Sequence, residues 1–160
     1  MLKETVISLI TALGPGDAEC LALNAYFEAR NQSESGMIAV SHVVLNRVQS
    51  DRYPDTVCGV VKQARYSKWW RDTHGKNVPI RHKCQFSWYC DGLSDYPKEK
   101  AAWKTAQRVA MEAYALHNIG FDITDGSLWY HAKNVNPYWA DSFDYVMHVD
   151  DHLFYKLKTD

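Results

Sequence analysis

Residues 21–48 read LALNAYFEARNQSESGMIAVSHVVLNRV, and this stretch decides the fold. Leu21, Ala25 and Glu28 share one stripe, with Asn24 beside it, at the spacing of a helix face. Leu23 and Phe27 lie opposite, so the segment is apolar nearly all round as far as Arg30. Such a helix belongs in a core rather than on a surface. After a polar turn, Ser33 caps a second helix. Met37, Val40, Val44 and Val48 form one stripe of it, Ile38 and Leu45 another. The pair is predicted to be an αα-hairpin at the centre of the core. Gly36, near the start of the second helix, allows close packing on the first or is a plain tolerated glycine.

One acid lies in this apolar segment. Burial disfavours the charged form of Glu28 and raises its pKa, and an acid that keeps its proton near neutrality is what general acid catalysis requires. The competing reading is a structural acid paired with Arg30 or Arg47, or one turned out to water.

Outward from this hairpin, residues 3–13 are predicted to be a short helix stopped by Gly14-Pro15-Gly16, with Asp17 as N-cap of the Glu28 helix. A loop at 50–54 leads into a helix from Asp55 to about Tyr66. Residues 68–83 read as an exposed loop of the kind used for binding. CQFSWYCDG (84–92) reads as a short extended segment or a loop rather than a helix. The longest helix is expected from Pro97 to His117, with Ala102, Ala106, Val109, Ala113 and Leu116 inward and Asn118 and Gly120 at its end. Asp125-Gly126 marks a turn, 128–131 is extended, and 145–155 folds as a small hairpin around Asp150-Asp151. The fold class is α+β, mainly α, with residues 1–160 as a single domain.

A chain of 160 residues with 46% hydrophobic content can build its own core. A net charge of −1 argues against a nucleic-acid partner, because phosphate contacts demand a basic surplus. No apolar run reaches the length of a membrane span, so no membrane partner is expected. Glu4 interrupts the first apolar patch, and no clear signal-peptide cleavage site follows it. Of the four cysteines, Cys20 reads as a small buried residue, while Cys58, Cys84 and Cys90 leave room for one bridge.

YFEAR (26–30), Ile38-Ala39-Val40 and VVLNRV (43–48) resemble the start of the SleB/CwlJ-type cell-wall hydrolases. CQFSWYCDG, WYHAKNVNPYWA (129–140) and HLFYK (152–156) match the same family's pattern, in order along the chain. The resemblance implies a lysozyme-like fold and peptidoglycan glycan strands as partner. It implies that Glu28 is the catalytic acid. A monomer with no cofactor and no metal is expected. Cleavage would fall between N-acetylmuramic acid and N-acetylglucosamine, by lytic transglycosylation. With no clear signal peptide, a phage-type endolysin released from the cytoplasm is the favoured setting. Relatives commonly carry a second Glu four residues after the first; here that position is Gln32, and Asn31 replaces the preceding Gly.

Around this acid, Gln85, Phe86, Ser87 and Trp88 offer an amide, a hydroxyl and aromatic faces suited to an amino sugar. Tyr130 can orient Glu28, His131 can bond an acetamido group, and Asn46 is a further site residue or a buried structural amide. Glu34, Asp91 and Asp95 are the second carboxylates available for a hydrolytic variant. One rival is a zinc amidase or endopeptidase using ligands among His82, Cys84, Cys90, His131, His148 and His152, although no HExxH or paired CxxC is present. The other rival is a wall-binding module without catalysis.

Overall fold

The computed structural model describes residues 13–159. The helix predicted for 3–13 lies outside them, apart from its last residue. Five helices and two small antiparallel sheets follow in the order α1 (Pro15–Ala29), α2 (Glu34–Val48), α3 (Val57–Val61), β1 (Ala64–Tyr66), α4 (Lys68–His74), β2 (Pro79–Cys84), α5 (Lys100–Asn118), β3 (Trp129–Ala132), β4 (Asp144–Val149) and β5 (His152–Lys156). A 3₁₀ turn at Ser87–Cys90 follows β2.

α1 and α2 are the expected αα-hairpin, and α1 packs on α2, α3 and α5 at once. That explains its nearly all-round apolar pattern: Leu21, Asn24 and Ala25 are fully buried, and Leu23 and Phe27 are partly so. Asp17 is not the N-cap. Gly14 holds that position with Pro15 at the first helical turn, where a missing N–H costs nothing. Asp17 instead accepts from the Cys58 amide at 3.0 Å and so caps the start of α3. Ser33 caps α2 as read, its side chain accepting from Gly36 N. Gly36 is there for a different neighbour than expected. A Cβ at this position would lie 2.5 Å from the Asp150 carboxylate, so the glycine admits the β4–β5 turn rather than α1.

The helix predicted for 55–66 is only Val57–Val61, and the loop predicted for 68–83 is structured. β1 and β2 pair as a hairpin that encloses α4, with Gln85 N bonded to Gln63 O at its base. Ser67 caps α4 and Gly75, at φ 63°, ends it. Helix α5 starts at Lys100, three residues beyond Pro97, and Ala106, Val109 and Ala113 carry its buried stripe. The predicted terminal hairpin exists and is extended by β3 to a sheet of order β3-β5-β4. Tyr130 pairs with Phe154, and both pack toward Met37, Val40 and Val43 of α2.

Cys20 is not a free buried thiol. It is bonded to Cys58, tying α1 to α3, and Cys84 is bonded to Cys90. No helix among the described residues is long and apolar enough to cross a membrane.

Candidate active site

Glu28 is the penultimate residue of α1, where the helix runs out beneath the three-stranded sheet. Two cavities share it. The larger, about 800 Å³, is walled by α1, the turn that follows it and the sheet; the smaller, about 280 Å³, lies between the sheet and the 85–87 loop. Ala132 and His152 also belong to both walls. A third cavity of about 470 Å³ shares Phe27, Arg30 and Glu99 with the first and contains Ser87 and Trp88. The three adjoin one another through these shared residues and together form a trough, with Glu28 in the wall of two of them.

The surroundings of Glu28 favour its protonated form. Burial pushes its carboxyl up, against smaller opposite pulls from the Tyr130 hydroxyl and the Arg47 cation. The last turn of a helix adds the negative end of the peptide dipoles. Arg47 does not form an ion pair with it. Its Nε donates to the Leu128 carbonyl at 2.8 Å, and its guanidinium lies over the Tyr53 and Phe86 rings at 4.9 and 5.3 Å. Arg30, the other expected pairing partner, binds Glu99 instead, at 3.2 Å. Tyr130 faces Glu28 more loosely than a regular hydrogen bond: its buried hydroxyl has no partner at bonding distance, yet it acts on the carboxyl as a donor would.

The residues read from the sequence divide into three groups. Gln85, Phe86, Ser87, Tyr130 and His131 are brought together with Glu28 around the smaller cavity. The Cys84–Cys90 disulfide closes the loop that carries the first three. His131, however, has both ring nitrogens engaged, with the Ala132 carbonyl at 2.8 Å and the Tyr155 hydroxyl at 2.9 Å. Trp88 is mostly core: it stacks on Phe27 at 4.8 Å and donates to Asn24 Oδ1 at 3.0 Å, reaching only the third cavity. Asn46 is away from the trough. It donates to Asp122, Thr124 and the Ser127 carbonyl and bonds His117, so it is a structural amide.

Sequence reasoning missed His152, whose role there was confined to a possible metal ligand. It is buried, its Nδ1 has no partner, and it stands in both cavity walls. Burial holds its pKa down, which favours the neutral imidazole. Gln32, Lys133 and Asp151 were missed as well. Gln32 Nε2 donates to Asp151 at 3.0 Å, Asp151 N returns a bond to Gln32 Oε1 at 3.1 Å, and Lys133 pairs with Asp151 at 2.9 Å. The contact joins segments far apart in the chain, which no local pattern announces. Of the proposed second carboxylates, Glu34 is tied to Arg108 and Asp91 reaches only the third cavity; Asp95 lines none of the three.

The zinc alternative loses two of its ligands, because Cys84 and Cys90 are joined to each other. Among the described residues no three His, Cys, Asp or Glu side chains gather in a metal-holding group.

Solved structures with a similar fold exist. The catalytic domain of the germination-specific lytic transglycosylase SleB from Bacillus anthracis superposes with a TM-score of 0.64 and 26% identity, covering 89% of this chain and 96% of that one. The SleB catalytic domain of Bacillus cereus gives 0.59 and 26%, over 90% and 92%. Among sequences, the spore cortex-lytic enzyme of Oceanobacillus iheyensis is 43% identical over 49 residues, which is 31% of this chain and 18% of that protein. The counterpart in Bacillus cereus is 41% identical over 49 residues, 31% of this chain and 19% of that protein. The matches thus span less than a fifth of those relatives' length. The profile of the Cell Wall Hydrolase family matches residues 31–155, well over half of the sequence, beginning just after Glu28. The chain belongs to the cell wall hydrolase family.

Proposed function

We propose that this protein cleaves peptidoglycan glycan strands between N-acetylmuramic acid and N-acetylglucosamine, as a lytic transglycosylase with Glu28 as its single acid and base. The observation that carries the reading is the state of Glu28: a carboxyl pushed toward its neutral form, unpaired, in the wall of a trough large enough for a polymer. The catalytic role of Glu28 also draws on the resemblance of YFEAR, since the family match begins after it.

The protonated Glu28 gives its proton to the bridging oxygen as the glycosidic bond breaks. The carboxylate left behind then takes a proton from the muramoyl 6-hydroxyl as that oxygen closes on the anomeric carbon. The acid is regenerated and a 1,6-anhydro end is formed, with no water and no cofactor consumed. Gln85 and Ser87 line the smaller cavity and would bond the acetamido and hydroxyl groups of the sugars, with His152 adding an uncommitted ring nitrogen. A hydrolytic route needs a free second carboxylate. The two other acids of the larger cavity, Glu99 and Asp151, are occupied by Arg30 and by Lys133 with Gln32. The observations therefore favour the one-acid route.

The test is Glu28→Gln on purified sacculi. Turbidity clearance should fall by roughly a hundred- to ten-thousand-fold, the range of acid–base catalysis. Mass spectrometry of the parent enzyme's products should find muramoyl ends lighter by one water than hydrolysed ends. A folded Gln variant that clears sacculi at the parent rate would remove the acid assignment, and hydrated ends alone would remove transglycosylation.

A further inference from the structure

The hairpin that carries α4 has a composition unlike the rest of the molecule. Between Lys62 and Lys83 seven Lys or Arg side chains stand against one acid, Asp72, in a chain whose overall charge is −1. All seven cations are exposed. Among the described residues none of them is in an ion pair, whereas Arg30, Arg108, Lys133 and Lys156 all are. The charge is therefore unspent within the fold.

The same hairpin exposes aromatic surface. Trp69 is 59% exposed and Trp70 37%, while the four other tryptophans are buried or half-buried. Trp69 and Trp70 pack edge to face and His74 lies tilted against both, with ring centroids 4.6 to 5.1 Å apart. Their arrangement is fixed on a capped turn of helix, and none of the buried core clusters includes them. Aromatic faces held ready beside free cations form a surface for a polymer that offers both apolar ring faces and anions.

The hairpin's position selects that polymer. Its second strand runs directly into Gln85, Phe86 and Ser87 of the Glu28 cavity, and its base is closed by the Gln85 to Gln63 bond and the Cys84–Cys90 disulfide. A six-residue strand extends about 20 Å from that wall. A chain leaving the trough on this side meets the hairpin next. We infer that the 62–83 hairpin is a second binding surface for the peptidoglycan strand, with Trp69 and Trp70 on sugar rings and the cations on stem-peptide carboxylates. The inference rests on the proposed function, because it takes the trough's polymer to be the glycan. A bilayer is the less favoured occupant, since it would have to reach the hairpin beside the mouth through which the glycan enters.

Retention on sacculi and turnover separate the two claims. Retention is measured in a Glu28→Gln background so that the wall is not consumed. Trp69→Ala/Trp70→Ala and Lys68→Glu/Arg71→Glu should each weaken retention about tenfold. Removing stem peptides with an amidase should weaken retention of the parent surface alike, and raising the ionic strength should do the same. Short soluble glycan fragments, which fill only the trough, should be cleaved by hairpin variants with active Glu28 at the parent rate. Thermal melts verify folding, and the exposed charge-reversal pair stands in if the tryptophan pair fails to fold. Unchanged retention in a folded variant overturns the inference, as does binding of the parent to phosphatidylglycerol vesicles as tight as to sacculi. Failure of the parent to cleave even the short fragments would instead strike the proposed function, whatever the retention.

Discussion

Asp122 and Glu28 are both drawn out of water, yet the fold treats them in opposite ways. Asp122 lies in the loop after α5 and is surrounded by donors: Thr124 N at 2.8 Å, Thr124 Oγ1 at 2.7 Å, Gly126 N at 2.7 Å and Asn46 Nδ2 at 2.8 Å. Burial pushes its carboxyl up, but the neighbouring His42 and Thr124 side chains and the Thr124 and Gly126 amides outweigh it and hold the pKa far below the usual range. Glu28 has a single loose donor in Tyr130 and a nearby cation, Arg47, whose Nε is bonded to Leu128 and which makes no ion pair with it, so there desolvation wins. Burial is common to both; the supply of donors decides which carboxylate is held ionised and which is pushed toward its neutral form. His42 belongs to the structural side, its ring bridging the Ala113 carbonyl and the Ile123 amide.

Removing Asp122 gives the largest expected effect on stability. Asp122→Ala leaves the Thr124 and Gly126 amides and the Thr124 hydroxyl without their acceptor, and should cost about 3 kcal/mol. A domain of this size would then melt about 10 °C lower. Because the folded pKa is depressed, the stabilisation is present above the unfolded value near 3.8 and is lost as pH falls below it. Chemical denaturation of parent and variant should therefore converge in acid. A variant as stable as the parent at neutral pH would break the contrast on its structural side.

Glu28→Gln should behave in the reverse sense. Its folded pKa is raised, so the native state binds more protons than the unfolded one above about 4.5, and the parent loses stability as pH rises through that window. The Gln variant escapes this loss. It should equal the parent below the window and exceed it slightly at neutral pH, the opposite of what breaking a buried ion pair would do. Denaturation curves at two pH values check the sign, and a variant weaker than the parent at neutral pH would mean that Glu28 is paired.

The two carboxylates were unequally legible in the sequence. Glu28 stood out because helical spacing alone puts it among buried positions, and its neighbours Gln85 to Ser87 and Tyr130 came from compact mixtures of aromatic and polar residues. Asp122 did not, since DITDGS reads as an ordinary turn; its partner Asn46 lies 76 residues earlier and reads as a site residue or a buried structural amide. The Gln32–Asp151 contact was hidden for the same reason, at a separation of 119. The β1–β2 hairpin was missed although Ser67 and Gly75 carry ordinary cap signals, because Pro79 and the run of charges obscure the strand. Core periodicity is local and can be read from the sequence, whereas polar networks are assembled by the tertiary fold.

The smallest effect expected comes from Tyr130→Phe, and it tests how finely the Glu28 environment is set. The hydroxyl lowers the Glu28 pKa, while the ring packs with Phe154 and His152 at 5.5 and 5.1 Å and would be retained. Removing only the oxygen should leave stability level or slightly higher, because a buried hydroxyl without a close partner disappears. The Glu28 pKa should rise further. A general acid works while protonated, so activity is lost as pH climbs through that pKa, and the alkaline limb of the rate profile should move up by under about one pH unit. The plateau rate should fall only a few-fold if Tyr130 positions the acid without exchanging protons itself. Rates on sacculi across the pH range, read beside a thermal melt, separate the two roles. An alkaline limb that stays in place would make Tyr130 a packing residue and leave Arg47 as the group opposing desolvation at Glu28.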